Sequence, residues 1–394
     1  MACRGADAIR AHRNAVPTLV ETPPDGWLTV CAVLTLNLVR WINRMHLPAS
    51  RRFEVMEHFS RRHHPLSAHP AFDPTVLHSH FSQIDPDTKA RLSDSMIDGV
   101  RLGIPPPASS LHSKPTTAAS DNCAAALKKL AGYALKGICH VLPLDCIQEY
   151  DDWLFREVAA HWVADQGRFV VNLSEPNDLS DPDNPRSSND ISAAAPSTSS
   201  FADPLCNMIG DFFPQLMELL RACDVSETKL KAIKADIRRA HVRVPIHPMD
   251  IGQIAVRLSS YLFIFRCTPF GWVYSSHTWT PFASAIQQQM QLGLEQLSRS
   301  MCSTILSKEQ ATVLLASSFL MWTFCDDFMG LSGGSDAMLR FYSDKLFMCC
   351  QLLLGHGCFN AEKALEEGFW SYVQRYTGVL IDLKAATASF DPER

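Results

Sequence analysis

Residues 224–239 read DVSETKLKAIKADIRR, and the period assigned to this stretch decides the fold. Asp224 with Glu227 three residues on has the form of a capping box, in which each member satisfies a backbone N–H of the first helical turn. Leu230, Ile233 and Ile237 follow at helical spacing, with Lys229, Lys231, Lys234, Arg238 and Arg239 around them. That is a basic amphipathic helix with its apolar residues turned inward and its charges solvated. Its basic face could touch RNA or an acidic partner.

The same logic carries outward in both directions. Asp203-Pro204 starts a helix by cap and proline, kinked at Pro214, and Asp85-Pro86 starts another that runs to about Leu102. Asp25 caps a helix to about Arg44, and a second covers Arg51 to Arg62. From Cys123 to Val163 the pattern is helical, with Leu127, Leu130, Ala131, Ala134, Leu135 and Ile138 at three and four residues, broken near Pro143. Residues 168–173, RFVVNL, suggest a short strand, and HVRVPI from His241 a short extended segment. Further helices are expected over about 248–265, 281–306, 308–328, 336–354 and 361–375, with a capping box at Ser307 and Gln310 and a cap at Asn360. Gly330, Gly333 and Gly334 mark a sharp connection. The fold class expected is mainly α: an irregular multi-helix, two-lobed body with few short strands.

The regions are a tail at 1–26, a helical region at 27–104, a Pro/Ser-rich linker at 105–122, a central helical region at 123–173, a polar insertion at 174–204 and a C-terminal helical lobe at 205–394. Within 174–204 the only large apolar residues are Leu179, Ile191 and Phe201. Such a segment buries too little apolar surface to offset its ordering entropy, so it reads as a loop or a contact arm.

The chain of 394 residues is 46% hydrophobic and 20% charged, enough for a substantial core. Its net charge of -5 argues against a protein whose main work is neutralising nucleic-acid phosphates. The thirteen cysteines form no C-x-x-C, so zinc fingers and dithiol redox motifs are not expected; buried free thiols are. The N-terminus lacks an apolar signal core, and the run from Trp27 to Val39 is too short to span a bilayer. A soluble cytoplasmic or virion protein is expected.

Several residue groups offer chemistry. Asp151-Asp152, in CIQEYDDWLFREVAAHW, could hold Mg²⁺ through carboxylate oxygens. With the Arg375-Tyr376 pair in FWSYVQRY, this stretch resembles the Asp-rich helix and terminal Arg-Tyr pair of class I terpenoid synthases. That resemblance implies metal binding at Asp151 and Asp152 and a phosphate contact at Arg375. The family's second metal helix is unmatched: four and eight residues after Asp326 stand Gly330 and Gly334. Otherwise the two acids face solvent or pair with Arg156.

His58, His63, His64, His69, His78 and His80 could ligate a transition metal, but the prolines among them favour a solvated linker. Cys358, in GHGCFN, could be activated by a helix N-terminus, but the stretch is read as an ordinary helix end with glycine punctuation. LSGGSDA, from Leu331, reads as a tight turn with Ser335 as cap. The aromatics from Tyr261 to Phe282 suit either a binding surface or core.

No residue is assigned as catalytic or cofactor-binding, and no cofactor is expected. The function expected is a non-enzymatic assembly protein, a self-associating viral capsid or nucleocapsid subunit enclosing or weakly binding nucleic acid. The alternatives are a helical Mg²⁺-dependent enzyme acting on a diphosphate and a helical adaptor.

Overall fold

A computed structural model of the chain describes residues 26–63, 74–82, 84–111, 122–163, 167–178, 186–195, 214, 216–217, 230–291, 319–324, 326–355, 358–359 and 368–390. Its order begins with α1 (Trp27–Asn43), α2 (Ala49–His63), α3 (Pro74–His80), α4 (Pro86–Ile97) and α5 (Cys123–Leu135). Then come β1 (Cys139–Pro143), two 3-10 turns (Leu144–Glu149, Asp151–Trp153), β2 (Ala159–Val163), β3 (Arg168–Asn172), β4 (Pro176–Asp178), β5 (Arg186–Ser187) and α6 (Ser188–Ala194). The rest is β6 (Lys231–Asp236), two further 3-10 turns (His241–Arg243, Pro248–Asp250), β7 (Ala255–Leu258), β8 (Tyr261–Phe265), α7 (Ser275–Met290), β9 (Leu320–Phe324), β10 (Asp327–Ser332), α8 (Asp336–Leu354), β11 (Val373–Tyr376), β12 (Val379–Asp382) and β13 (Thr387–Phe390).

The mainly-α expectation is therefore wrong. The body is mixed α/β, and its described strands form small antiparallel sheets, ordered β1-β8-β7, β6-β10-β9 and β11-β12-β13, with hairpins β2-β3 and β4-β5. The presumed basic helix is the strand β6. Ile233, Ala235 and Ile237 alternate with Lys234 and Asp236, and this period-2 pattern prevails because β6 pairs along its whole length with β10. The apolar stretch read as a helix over 308–328 contains β9 and leads into β10. The stretch read over 248–265 is the β7–β8 pair. Likewise, 139–163 holds β1 and β2 rather than helix, and 373–376 is β11. Short, wholly buried strands show no alternation of polarity, which is why periodicity misread them.

Other expectations hold. Asp85 caps α4 by accepting the Thr88 N–H at 2.9 Å, with Pro86 in the first turn, although the helix stops at Ile97 rather than near Leu102. Gly99 (φ +82) explains the stop. A Cβ there would lie 2.7 Å from the Ile246 backbone, and the chain instead leaves as a bridge beside Ile246. Ser335 caps α8 over its expected span, and β3 is the expected strand. The polar segment is partly built: Ser187 and Asp190 form a capping box on α6, whose Ser192 is buried. The starts at Asp25, Asp203, Asp224, Ser307 and Asn360 lie outside the described residues.

One continuous cluster of buried side chains runs from α1 to α8. On one side α1 and α5 pack on β1, with Leu36, Val39 and Ile42 buried. On the other, α7 lies against β9 and α8, with Trp279 stacked on Phe282 at 5.6 Å. The aromatics from Phe263 to Phe282 are largely core. At the centre, Arg266 forms a bidentate pair with Glu57 (2.7 and 2.9 Å) and donates to the Gly137 carbonyl at 2.8 Å. This pair ties α2 to the segment after β8 and to the turn before β1. Among the described residues no helix is long and apolar enough to cross a membrane, and the described cysteines are free.

Candidate metal and phosphate site

The hairpin β9–β10 sets its turn beside the C-terminal end of β6. Phe324 pairs with Asp327, so the chain reverses within two residues, the second being Asp326. Asp327 in turn pairs with Asp236, and the Ile237 N–H donates to the Asp326 carbonyl at 2.8 Å. Three aspartates thus meet at one end of one sheet. Directly opposed residues of an antiparallel pair share a face, with Cβ atoms about 4.5–5.5 Å apart, and like charges so placed repel. Asp236 is 8% exposed and the Asp327 side chain 17%. Carboxylates opposed on one face and this poorly hydrated call for positive charge nearby. Lys234, two residues before Asp236 and on the same face, brings its Nζ to 3.5 Å from Asp327 Oδ1.

More cations gather just past Asp236. Arg239 sits in the left-handed region (φ +61), with its guanidinium 5.8 Å from the centre of the Tyr133 ring. Lys129, on α5, donates to the Gly167 carbonyl at 3.5 Å. Burial first, then the charges of Arg239, Arg238 and Arg168, hold its ammonium below the usual lysine range. Four cations from α5, β3 and the turn after β6 therefore share one neighbourhood. Arg243 fixes that turn from beneath, donating to the Arg238 carbonyl and to the Leu354 carbonyl, each at 2.9 Å. His241 titrates below its ordinary value because it is buried, an effect partly offset by the Asp326 carboxylate. Asp326 is thus within electrostatic range of this turn.

Among the described residues no three His, Cys, Asp or Glu side chains form a metal cage on their own. Asp236 and Asp327 still suit Mg²⁺, which keeps several waters and is commonly held by one or two carboxylates plus substrate phosphates. A pair of opposed carboxylates beside a cluster of cations is compatible with that chemistry.

The residues singled out from sequence lie elsewhere. Asp151 and Asp152 are on a 3-10 turn, not an apolar helix. Asp152 is 68% exposed and pairs with Arg52 at 2.6 Å, and the Asp151 carbonyl accepts from the Ser110 hydroxyl. Arg375 occupies an outward position of β11, in another sheet. These placements remove the basis for a helical diphosphate enzyme. His58, His78 and His80 are exposed on α2 and α3, His63 ends α2, and His64 and His69 lie outside the described residues. Cys358 is buried, and burial pushes its thiol up to about 12, so it is not an activated nucleophile. Leu331 and Ser332 end β10, and Ser335 caps the next helix. Asp236 was missed because its segment was given the wrong period. The missed signal was the Ile233–Ala235–Ile237 alternation with a lone acid at its end.

No family model matches this chain, and no curated protein does. Among solved structures it is similar to a foamy viral protease-reverse transcriptase in complex with an RNA/DNA hybrid, at TM-score 0.44 and 10% identity over 81% of this chain and 36% of that one. Two further structures of foamy viral protease-reverse transcriptase, in complex with double-stranded DNA, match at TM-scores 0.39 and 0.40 and 11% and 10% identity. Both matches cover 81% of this chain, and 47% and 56% of the matched chains. The chain thus spans between about a third and just over half the length of these proteins. The capsid or nucleocapsid expectation is overturned, since the mainly helical body on which it rested is not the one observed.

Proposed function

We propose that this chain is a divalent-metal-dependent enzyme of nucleotidyl transfer on nucleic acid, with Asp236 and Asp327 as metal ligands and Asp326 assisting. The observation that carries the reading is the direct cross-strand pairing of Asp327 with Asp236 at a hairpin turn, beside the cluster of Lys129, Arg168, Arg238 and Arg239. Acids alone would fit many roles, and so would a basic patch alone. Carboxylates that leave a cation incompletely coordinated, next to cations that attract phosphate, fit a phosphate ester as the missing ligand.

The protein's own part is positioning. β6 and β10 fix the two carboxylates through paired backbone rather than through loops. Arg238 and Arg239 stand two and three residues beyond Asp236, so phosphates drawn to them lie close to the carboxylates. Asp236 and Asp327 would hold a divalent ion, which when bound would supply charge stabilisation to a phosphoryl group. The overall negative charge does not oppose this reading, because a local patch sets the local field.

The test is primer extension by the purified chain with Mg²⁺ and deoxynucleoside triphosphates, on a DNA primer paired to RNA or to DNA. Those are the two duplex types held by the foamy viral proteins. Extension is expected, with Asp236→Asn and Asp327→Asn each lowering the rate by roughly a hundredfold or more. Unchanged rates in both variants would remove the proposal.

A further inference from the structure

We propose that Lys234 is a displaceable counter-ion, whose ammonium occupies the position beside Asp327 that a divalent cation takes over. The inference rests on the metal reading above and deepens it. Lys234 pairs across the sheet with Met329, so Asp327 is its diagonal neighbour on the same face, within reach of a long side chain. The Lys234 side chain is buried, at 7% exposure, and a buried lysine is costly without anionic contact. Yet the Nζ–Oδ1 distance is 3.5 Å, looser than the 2.7–2.9 Å of a strong charge-assisted hydrogen bond. Lys234 therefore lowers the charge repulsion at Asp327 through a contact too long to clamp that carboxylate.

Lysine suits such a role for a physical reason. It is a point charge on a flexible stem, whereas arginine would clamp the carboxylate with a planar fork. A divalent ion brings twice the charge to about 2.0–2.1 Å from the same oxygens, so the two cations compete and the ammonium gives way. The sheet in this picture stays folded without metal because Lys234 holds the place, and metal binding is weakened by the need to expel it.

Mn²⁺ binding to the full chain, followed by the electron paramagnetic resonance of the free ion at fixed pH, tests this. Wild type should bind Mn²⁺. Lys234→Met, which keeps the stem and removes the charge, should bind roughly tenfold tighter. Lys234→Arg should bind several-fold more weakly. Asp236→Asn and Asp327→Asn report on the underlying reading: if they bind Mn²⁺ as wild type does, or if wild type binds none, the metal site itself is wrong. If both asparagine variants lose binding but Lys234→Met matches or falls below wild type, the metal site stands and the counter-ion role is overturned. Should Lys234→Met fail to fold, as circular dichroism would show, Lys234→Arg decides, and an affinity equal to wild type overturns the proposal.

Discussion

At the scale of single residues, the buried pair of Arg266 and Glu57 shows how charge is handled inside this protein. Burial alone would raise the Glu57 carboxyl, but Arg266 and the His140 contact overcome it and hold the group well below the usual carboxylate range. A carboxyl depressed in the folded state contributes stability that is fully present above its unfolded value, about 4.3, and is lost as pH falls through the folded value. Glu57→Gln should cost roughly 3–5 kcal/mol at pH 7, since it leaves a buried guanidinium without its counter-charge. Urea melts at pH 7 and near pH 3 should show the gap between wild type and variant narrowing in acid. Little of this was legible in the chain, because Glu57 and Arg266 lie in different segments and neither stands in a motif. Asp236 was hidden for a different reason. Leu230, Ile233 and Ile237 satisfy a helical period, while Ile233, Ala235 and Ile237 satisfy a strand period. The apparent capping box at Asp224 broke the tie the wrong way.

At the scale of elements, what was legible depended on signals carried within the element. α4 and α8 announce themselves through Asp85-Pro86 and Ser335, caps that act on their own first turns. Strands have no such local mark when both faces are buried, and β9, β10, β7 and β8 are apolar almost throughout. Their identity comes from partners far along the chain. Gly330 shows how tightly those partners fit. It faces Phe319 and Ile233, and an added Cβ would stand 2.5 Å from the Phe319 Cζ and 3.0 Å from the Ile233 Cγ2. Gly330→Ala should therefore destabilise the chain by roughly 1–3 kcal/mol, because the ring cannot retreat within a packed core. Thermal melting would show it, and a neutral result would mean that the hairpin packs less closely against β6 than described.

At the scale of the whole molecule, net charge says little about how the charges are distributed. The total of -5 conceals one neighbourhood where four cations from three elements crowd together. If that patch meets phosphates, duplex affinity should fall steeply between 50 and 200 mM salt. Arg168→Ala and Arg239→Ala should each weaken binding of all sequences alike and reduce the salt slope by about one. Fluorescence anisotropy with a labelled RNA/DNA hybrid at several salt concentrations measures both. A slope unchanged in both variants would place the phosphate contacts elsewhere.

Roughly ninety residues of chain separate the two halves of the β6–β10 pair. On a ribosome adding about 5–20 residues each second, the first carboxylate therefore waits some 5–20 seconds for the second. Through that interval β6 lacks the strand that pairs with its edge, and the proposed carboxylate pair is incomplete. On the proposed function, activity would switch on only late in synthesis, and a break anywhere between the two strands would leave β6 with an open edge.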